Sequence, residues 1–96
     1  MAEEIEVLVK YYNIIRDAAG RREERLRLPP GATLLDLLRL IAARYPAVGS
    51  ILFLAGGSIS PYTRLFVNGQ VIEAHGIERS LAAGDEIMLF PAVAGG

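Results

Sequence analysis

Three features of the sequence predict an α+β domain with one main helix packed on one face of a mixed sheet. A capped amphipathic helix over residues 33–45 follows two alternating, strand-like stretches. An Asn68-Gly69 dipeptide lies between two short apolar runs, as a tight hairpin requires. A last apolar run, Ile87-Met88-Leu89-Phe90, follows the turn residues Gly84-Asp85 and stops at Pro91.

Composition bounds the rest. The 96 residues, 52% of them hydrophobic, suit one domain (1–96) with one core. The formal net charge is −1, and the arginines are scattered without a dense run or an interleaved aromatic platform. That composition argues against a nucleic-acid partner. There is no Cys, which excludes disulfides and thiolate chemistry. His75 is the only His and reads as a surface loop residue, so neither a metal site nor a catalytic residue is expected. The start, Met1-Ala2-Glu3-Glu4, is acidic where a signal peptide is basic, and no apolar stretch reaches spanning length. The expectation is a soluble, cytoplasmic protein with no membrane partner. Lys10 is the only Lys, which reads as a signature of genome or growth temperature rather than of function.

In chain order, residues 4–12 alternate as a strand, with Ile5, Val7, Val9 and Tyr11 on one face and Leu8 and Tyr12 on the other. Residues 13–22, with Asp17, Gly20 and a basic pair, read as a turn or long hairpin loop. Alternation resumes over 23–28, Leu26 and Leu28 inward, until Pro29-Pro30-Gly31 stops it. Thr33-Leu34-Leu35-Asp36 fits a capping box, and Leu34, Leu37, Leu38, Ile41 and Tyr45 form the helix's apolar stripe before Pro46. Residues 47–61 contain Gly56-Gly57-Ser58 and Ser60-Pro61, and read as a connecting segment with a mobile centre. Its Gly pair lacks the Lys and Ser/Thr of a phosphate loop. Residues 64–72 form the hairpin around Asn68-Gly69, and 77–81 read as one helical turn leading toward the last strand.

Two strands, a crossing helix, a hairpin and a final strand make the β-grasp arrangement. In the final strand Ile87 and Leu89 alternate with Met88 and Phe90, so both sheet faces are apolar where a half-solvated sheet is polar on one. Leu8, Phe66, Met88 and Phe90 are therefore expected to form a partner-docking patch, unless the connecting segment folds over it. Beyond it a flexible tail, 91–96, ends in Gly95-Gly96, slim enough to enter a narrow channel. The expected working group is the terminal carboxylate; the alternative is an ordinary frayed end.

The capped helix after Pro-Pro-Gly-Ala-Thr, Val67-Asn68-Gly69, the Leu81-x-x-Gly84-Asp85-Glu86 turn and the ending Phe90-Pro91-Ala92-Val93-Ala94-Gly95-Gly96 together resemble the ubiquitin-like sulfur carriers. Within them the chain is most similar to the small subunit of molybdopterin synthase, the long stretch between Tyr45 and Arg64 setting it apart from the thiamine-pathway carriers. The resemblance implies a ubiquitin-like fold and a non-enzymatic protein cosubstrate that binds no cofactor of its own. By it, an adenylating enzyme of the ubiquitin-activating type uses ATP to activate the Gly96 carboxylate, which a sulfur donor converts to a thiocarboxylate. Pro91, Ala92, Val93, Ala94 and Gly95 then enter the active site of the large synthase subunit, where the sulfur builds the dithiolene that holds molybdenum or tungsten. Other roles stay open: thiamine thiazole synthesis, a protein modifier joined to Lys through Gly96, or an interaction module that is never activated.

Overall fold

The computed structural model describes residues 3–91. Strand β1 (Ile5–Tyr11) buries Val7, Val9 and Tyr11, as its alternation requires. It pairs antiparallel with β2 (Glu23–Leu28) in a register that sets Val7 beside Leu26 and Ile5 beside Leu28 on the inner face.

The link between these strands is a helix, α1 (Asn13–Ala19), rather than the loop expected over 13–22. Two turns of helix with no side-chain N-cap are marginal alone. The gain comes from Ile15 and Ala19, one turn apart and buried in the core, a contact that local turn signals do not encode. Gly20 then takes the left-handed conformation (φ 77°), and its N–H donates to the Arg16 carbonyl at 2.9 Å.

Helix α2 (Leu34–Arg44) begins with the capping box the sequence predicts. Asp36 N–H donates to Thr33 Oγ1 at 3.1 Å, and Thr33 N–H donates to Asp36 Oδ2 at 2.9 Å. Those bonds, the backbone one first, hold the Asp36 carboxyl below its ordinary pKa. Leu34, Leu37, Leu38 and Ile41 are fully buried, each worth roughly 1.5–3 kcal/mol of transfer free energy.

Residues 77–81 do not form the helical turn expected there; the short 3₁₀ turn is at Ala74–Gly76 instead. The physical reason is the open end of α2. The carbonyls of Arg79 and Ile77 accept from the N–H groups of Leu34 (3.0 Å) and Leu35 (2.7 Å), and Leu81 N–H donates to the Ala32 carbonyl at 2.9 Å. A helical turn would consume carbonyls that α2 needs for its unpaired first donors.

The connecting segment is also more ordered than its glycines imply. Pro46 ends α2 and starts α3 (Pro46–Leu52), because its fixed φ suits a first helical position. Val48 and Leu52, one turn apart, are buried in the common core, so this segment packs on the inner side and does not fold over the outer face. Its glycine loop is bonded at the base: Leu54 N–H donates to the Ser58 carbonyl (2.8 Å) and Ser60 N–H to the Leu52 carbonyl (2.7 Å). Gly49 serves close packing rather than a turn. A Cβ there would stand 2.9 Å from Ala42 Cβ on α2, nearer than real Cβ atoms approach. Gly49→Val is expected to cost about 2 kcal/mol through overpacking, measured by denaturant unfolding.

Strands β3 (Thr63–Val67) and β4 (Gln70–Ile72) form the hairpin, with Asn68 and Gly69 at φ 52° and 84° as a type I′ turn demands. Strand β5 (Glu86–Pro91) enters the middle of the sheet, parallel to β1 and antiparallel to β3. The order is β2-β1-β5-β3-β4. This is the ubiquitin-like β-grasp, with α1, α2 and α3 contributing to one core against the inner face.

Candidate docking face and tail root

The site is built around β5. Ile87 and Leu89 are fully buried, so Glu86, Met88 and Phe90 must point to the outer face. Directly paired residues share a face, and the register therefore brings Leu8 beside Glu86, Lys10 beside Met88, Phe66 beside Met88 and Arg64 beside Phe90. Val71, paired with Phe66, adds an exposed apolar side chain at the edge. Leu8, Phe66, Met88 and Phe90, the four positions expected to form a patch, thus lie on one surface and are half-buried.

Tyr12 joins them. Its ring stacks on Phe90 with centroids 4.0 Å apart and planes 9° from parallel, while Phe66 meets Phe90 edge-on at 5.5 Å. The alternation of residues 4–12 already placed Tyr12 with Leu8; the crossing of β5 beside β1 decides that it covers Phe90. Among the described residues no group of three or more His, Cys, Asp or Glu is arranged to hold a metal. No helix of the described residues is long and apolar enough to cross a membrane.

Pro91, expected to open the tail, is instead the last residue of β5, opposite Thr63. Lacking an N–H, it suits the end of a ladder. Ala92, Val93, Ala94, Gly95 and Gly96 lie outside the described residues. The point from which they depart is set one residue beyond Phe90.

Two further features lie beside this face, the first of them at the start of β5. Asn68 Oδ1 accepts from Glu86 N–H (2.9 Å), and Asn68 Nδ2 donates to Asp85 Oδ1 (2.9 Å). Asp85 Oδ2 in turn accepts from Ala82 N–H at 2.8 Å. The hairpin turn and the Gly84-Asp85 turn, separate motifs in the sequence, are one hydrogen-bonded clamp at the start of β5.

The other feature lies behind Tyr12. Tyr11 points inward and donates its hydroxyl to Glu24 Oε2 at 2.6 Å, and Arg21 Nη1 donates to Glu24 Oε1 at 3.2 Å. Tyr45 packs edge-on against Tyr11, centroids 6.2 Å apart. Burial first, then the bond and charge of Glu24, push the Tyr11 phenol above its ordinary pKa of 10.0. Because the folded state holds that proton more tightly, its stabilising effect is complete below the ordinary value and is lost as pH rises beyond it. Tyr11→Phe is expected to cost about 1–3 kcal/mol at neutral pH, by leaving Glu24 under-bonded. The same change should weaken the decline in melting temperature above pH 10.0, followed by circular dichroism. The signal for this cluster was a carboxylate at position 24, inward by the same alternation that buries Leu26 and Leu28.

The fold and this face define a ubiquitin-like β-grasp protein with an aromatic-centred sheet surface. Residues 9–96 match the ThiS family, and the chain belongs to it. Small archaeal modifier protein 1 of Haloferax volcanii is 33% identical over 87 residues, 91% of this chain and 97% of that protein. The molybdopterin synthase sulfur carrier subunit of Chlamydomonas reinhardtii is 29% identical over 92 residues, 96% of this chain and all of that one. The crystal structure of SAMP1 from Haloferax volcanii superposes with a TM-score of 0.85 at 30% identity, covering 95% of this chain and 99% of the other.

Proposed function

We propose that this chain is the sulfur carrier of molybdopterin synthesis, with the Gly96 carboxylate as its working group and the outer face as its dock. The observation that supports it best is continuity. Phe90, at the centre of the face, is joined through a single ladder residue to a tail that begins at a fixed point. Five residues beyond Pro91 reach at most about 17 Å, so docking the face confines Gly96 to a small volume inside a partner.

In that reading a carboxylate oxygen of Gly96 attacks the α-phosphorus of ATP on an adenylating enzyme, pyrophosphate leaves, and an acyl-adenylate results. A sulfur donor displaces AMP, giving a thiocarboxylate, a better nucleophile than the carboxylate it replaces. The large synthase subunit receives the tail, and the sulfur attacks a pterin precursor there. The carrier contributes position and nucleophile; acid–base and electrostatic catalysis belong to its partners.

A second reading has a specific observation behind it: full-length similarity to proteins named as small archaeal modifiers. It uses the same adenylate, attacked by the amine of a target lysine. Intact mass after incubation with ATP, the adenylating enzyme and sulfide tests both. A gain of about 16 Da at the C-terminus, oxygen replaced by sulfur, is expected for the carrier. Mass appearing only as lysine-linked adducts of other proteins favours the modifier. Neither product leaves an interaction module.

A further inference from the structure

The charge around the tail root runs against that of the chain. The chain carries a formal −1, yet Lys10, Arg16 and Arg22 line a shallow cavity of about 280 Å³ beside Tyr12, with Glu23 as its carboxylate. Arg64 stands on the other side, paired across the ladder with Phe90. Lys10 is neutralised by Glu86 at 3.4 Å. Arg16, Arg22 and Arg64 are exposed, and among the described residues none has a carboxylate within salt-bridge distance. Residues 92–96, which follow, contain no ionisable side chain, and the one charge they add, the Gly96 carboxylate, is delivered to the partner in the carrier reading. Among the described residues, three guanidinium groups without a carboxylate partner therefore bracket the Tyr12–Phe90 stack.

We propose that this cationic collar selects a protein partner that rings an apolar socket for Phe90 with carboxylates. The inference rests on the carrier reading and adds the electrostatic character of the partner. Rim charges of this kind act on the rate of encounter, because they guide the face into register before the apolar centre is desolvated. Guanidinium groups suit the task, being planar donors matched to carboxylates.

The test measures association of the full chain with its adenylating enzyme at about 0.1 M and about 1 M salt, where the Debye length is about 10 Å and about 3 Å. The variant combines Arg16→Glu, Arg22→Glu and Arg64→Glu, with melting temperature as the check on folding. The control reverses as many charges away from the face, at Arg39, Arg44 and Arg79. The expected result is an association rate about tenfold or more lower for the collar variant at the lower salt, little change for the control, and convergence of all three at the higher salt. Wild-type binding that is indifferent to both salt and the collar variant overturns the collar while leaving the carrier reading intact. No wild-type binding at either salt defeats both. Salt-dependent self-association, or loss of binding to a nonspecific DNA duplex without loss toward the enzyme, overturns it in favour of a second copy or a nucleic acid.

Discussion

Deleting Gly96 is expected to abolish sulfur transfer while leaving the melting temperature within about a degree of the parent. Removing one residue withdraws the acyl carbon by about 3.5 Å, and a displacement of even 1 Å can cost about 10²-fold where reacting groups must be held in line. The shortened chain still ends in a glycine carboxylate, so the chemistry is retained and only reach is lost. Among the described residues the buried core runs from Val7 to Leu89, and a solvated end is expected to add little to it. The measurement is single-turnover thiocarboxylate formation and transfer beside a thermal melt. A large drop in melting temperature would mean that the tail is packed into its own fold, and the functional reading would fail with it.

Phe90→Ser should weaken partner binding about thirtyfold, the scale of a hot-spot loss near 2 kcal/mol. Phe90 is placed as such residues are: central on the face, with Tyr12 stacked on it at 4.0 Å and Phe66 edge-on at 5.5 Å, rimmed by charge. The serine also removes two aromatic contacts within the fold, each worth about 0.5–1.5 kcal/mol, so some loss of stability accompanies it. The discriminating comparison is the Kd measured well below the melting temperature, with far-ultraviolet circular dichroism unchanged. Loss of secondary structure with unchanged affinity for the remaining folded fraction would assign Phe90 to the fold and not to the dock.

Much of this architecture was legible because its signals are local. The capping box needs only Thr33 and Asp36, three residues apart, and the hairpin only Asn68-Gly69. The alternation of β1 and β5 likewise separates Val7, Val9, Ile87 and Leu89 from Leu8, Met88 and Phe90 without knowledge of any neighbour. Helices α1 and α3 were missed for the opposite reason. Each spans seven residues, and each is held by two side chains whose burial depends on elements distant in sequence. The segment 77–81 was misread because its carbonyls serve α2, more than forty residues earlier.

By itself, then, the sequence determined which residues turn inward, where the main helix starts and where the hairpin folds back. Only the tertiary structure decided that β5 runs between β1 and β3, that Tyr12 therefore covers Phe90, and that Arg16, Arg22 and Arg64 gather at the tail root. The reason is physical. Turns, caps and alternation are set by interactions within a few residues, whereas strand order is set by which apolar faces can be buried together once the whole chain has collapsed.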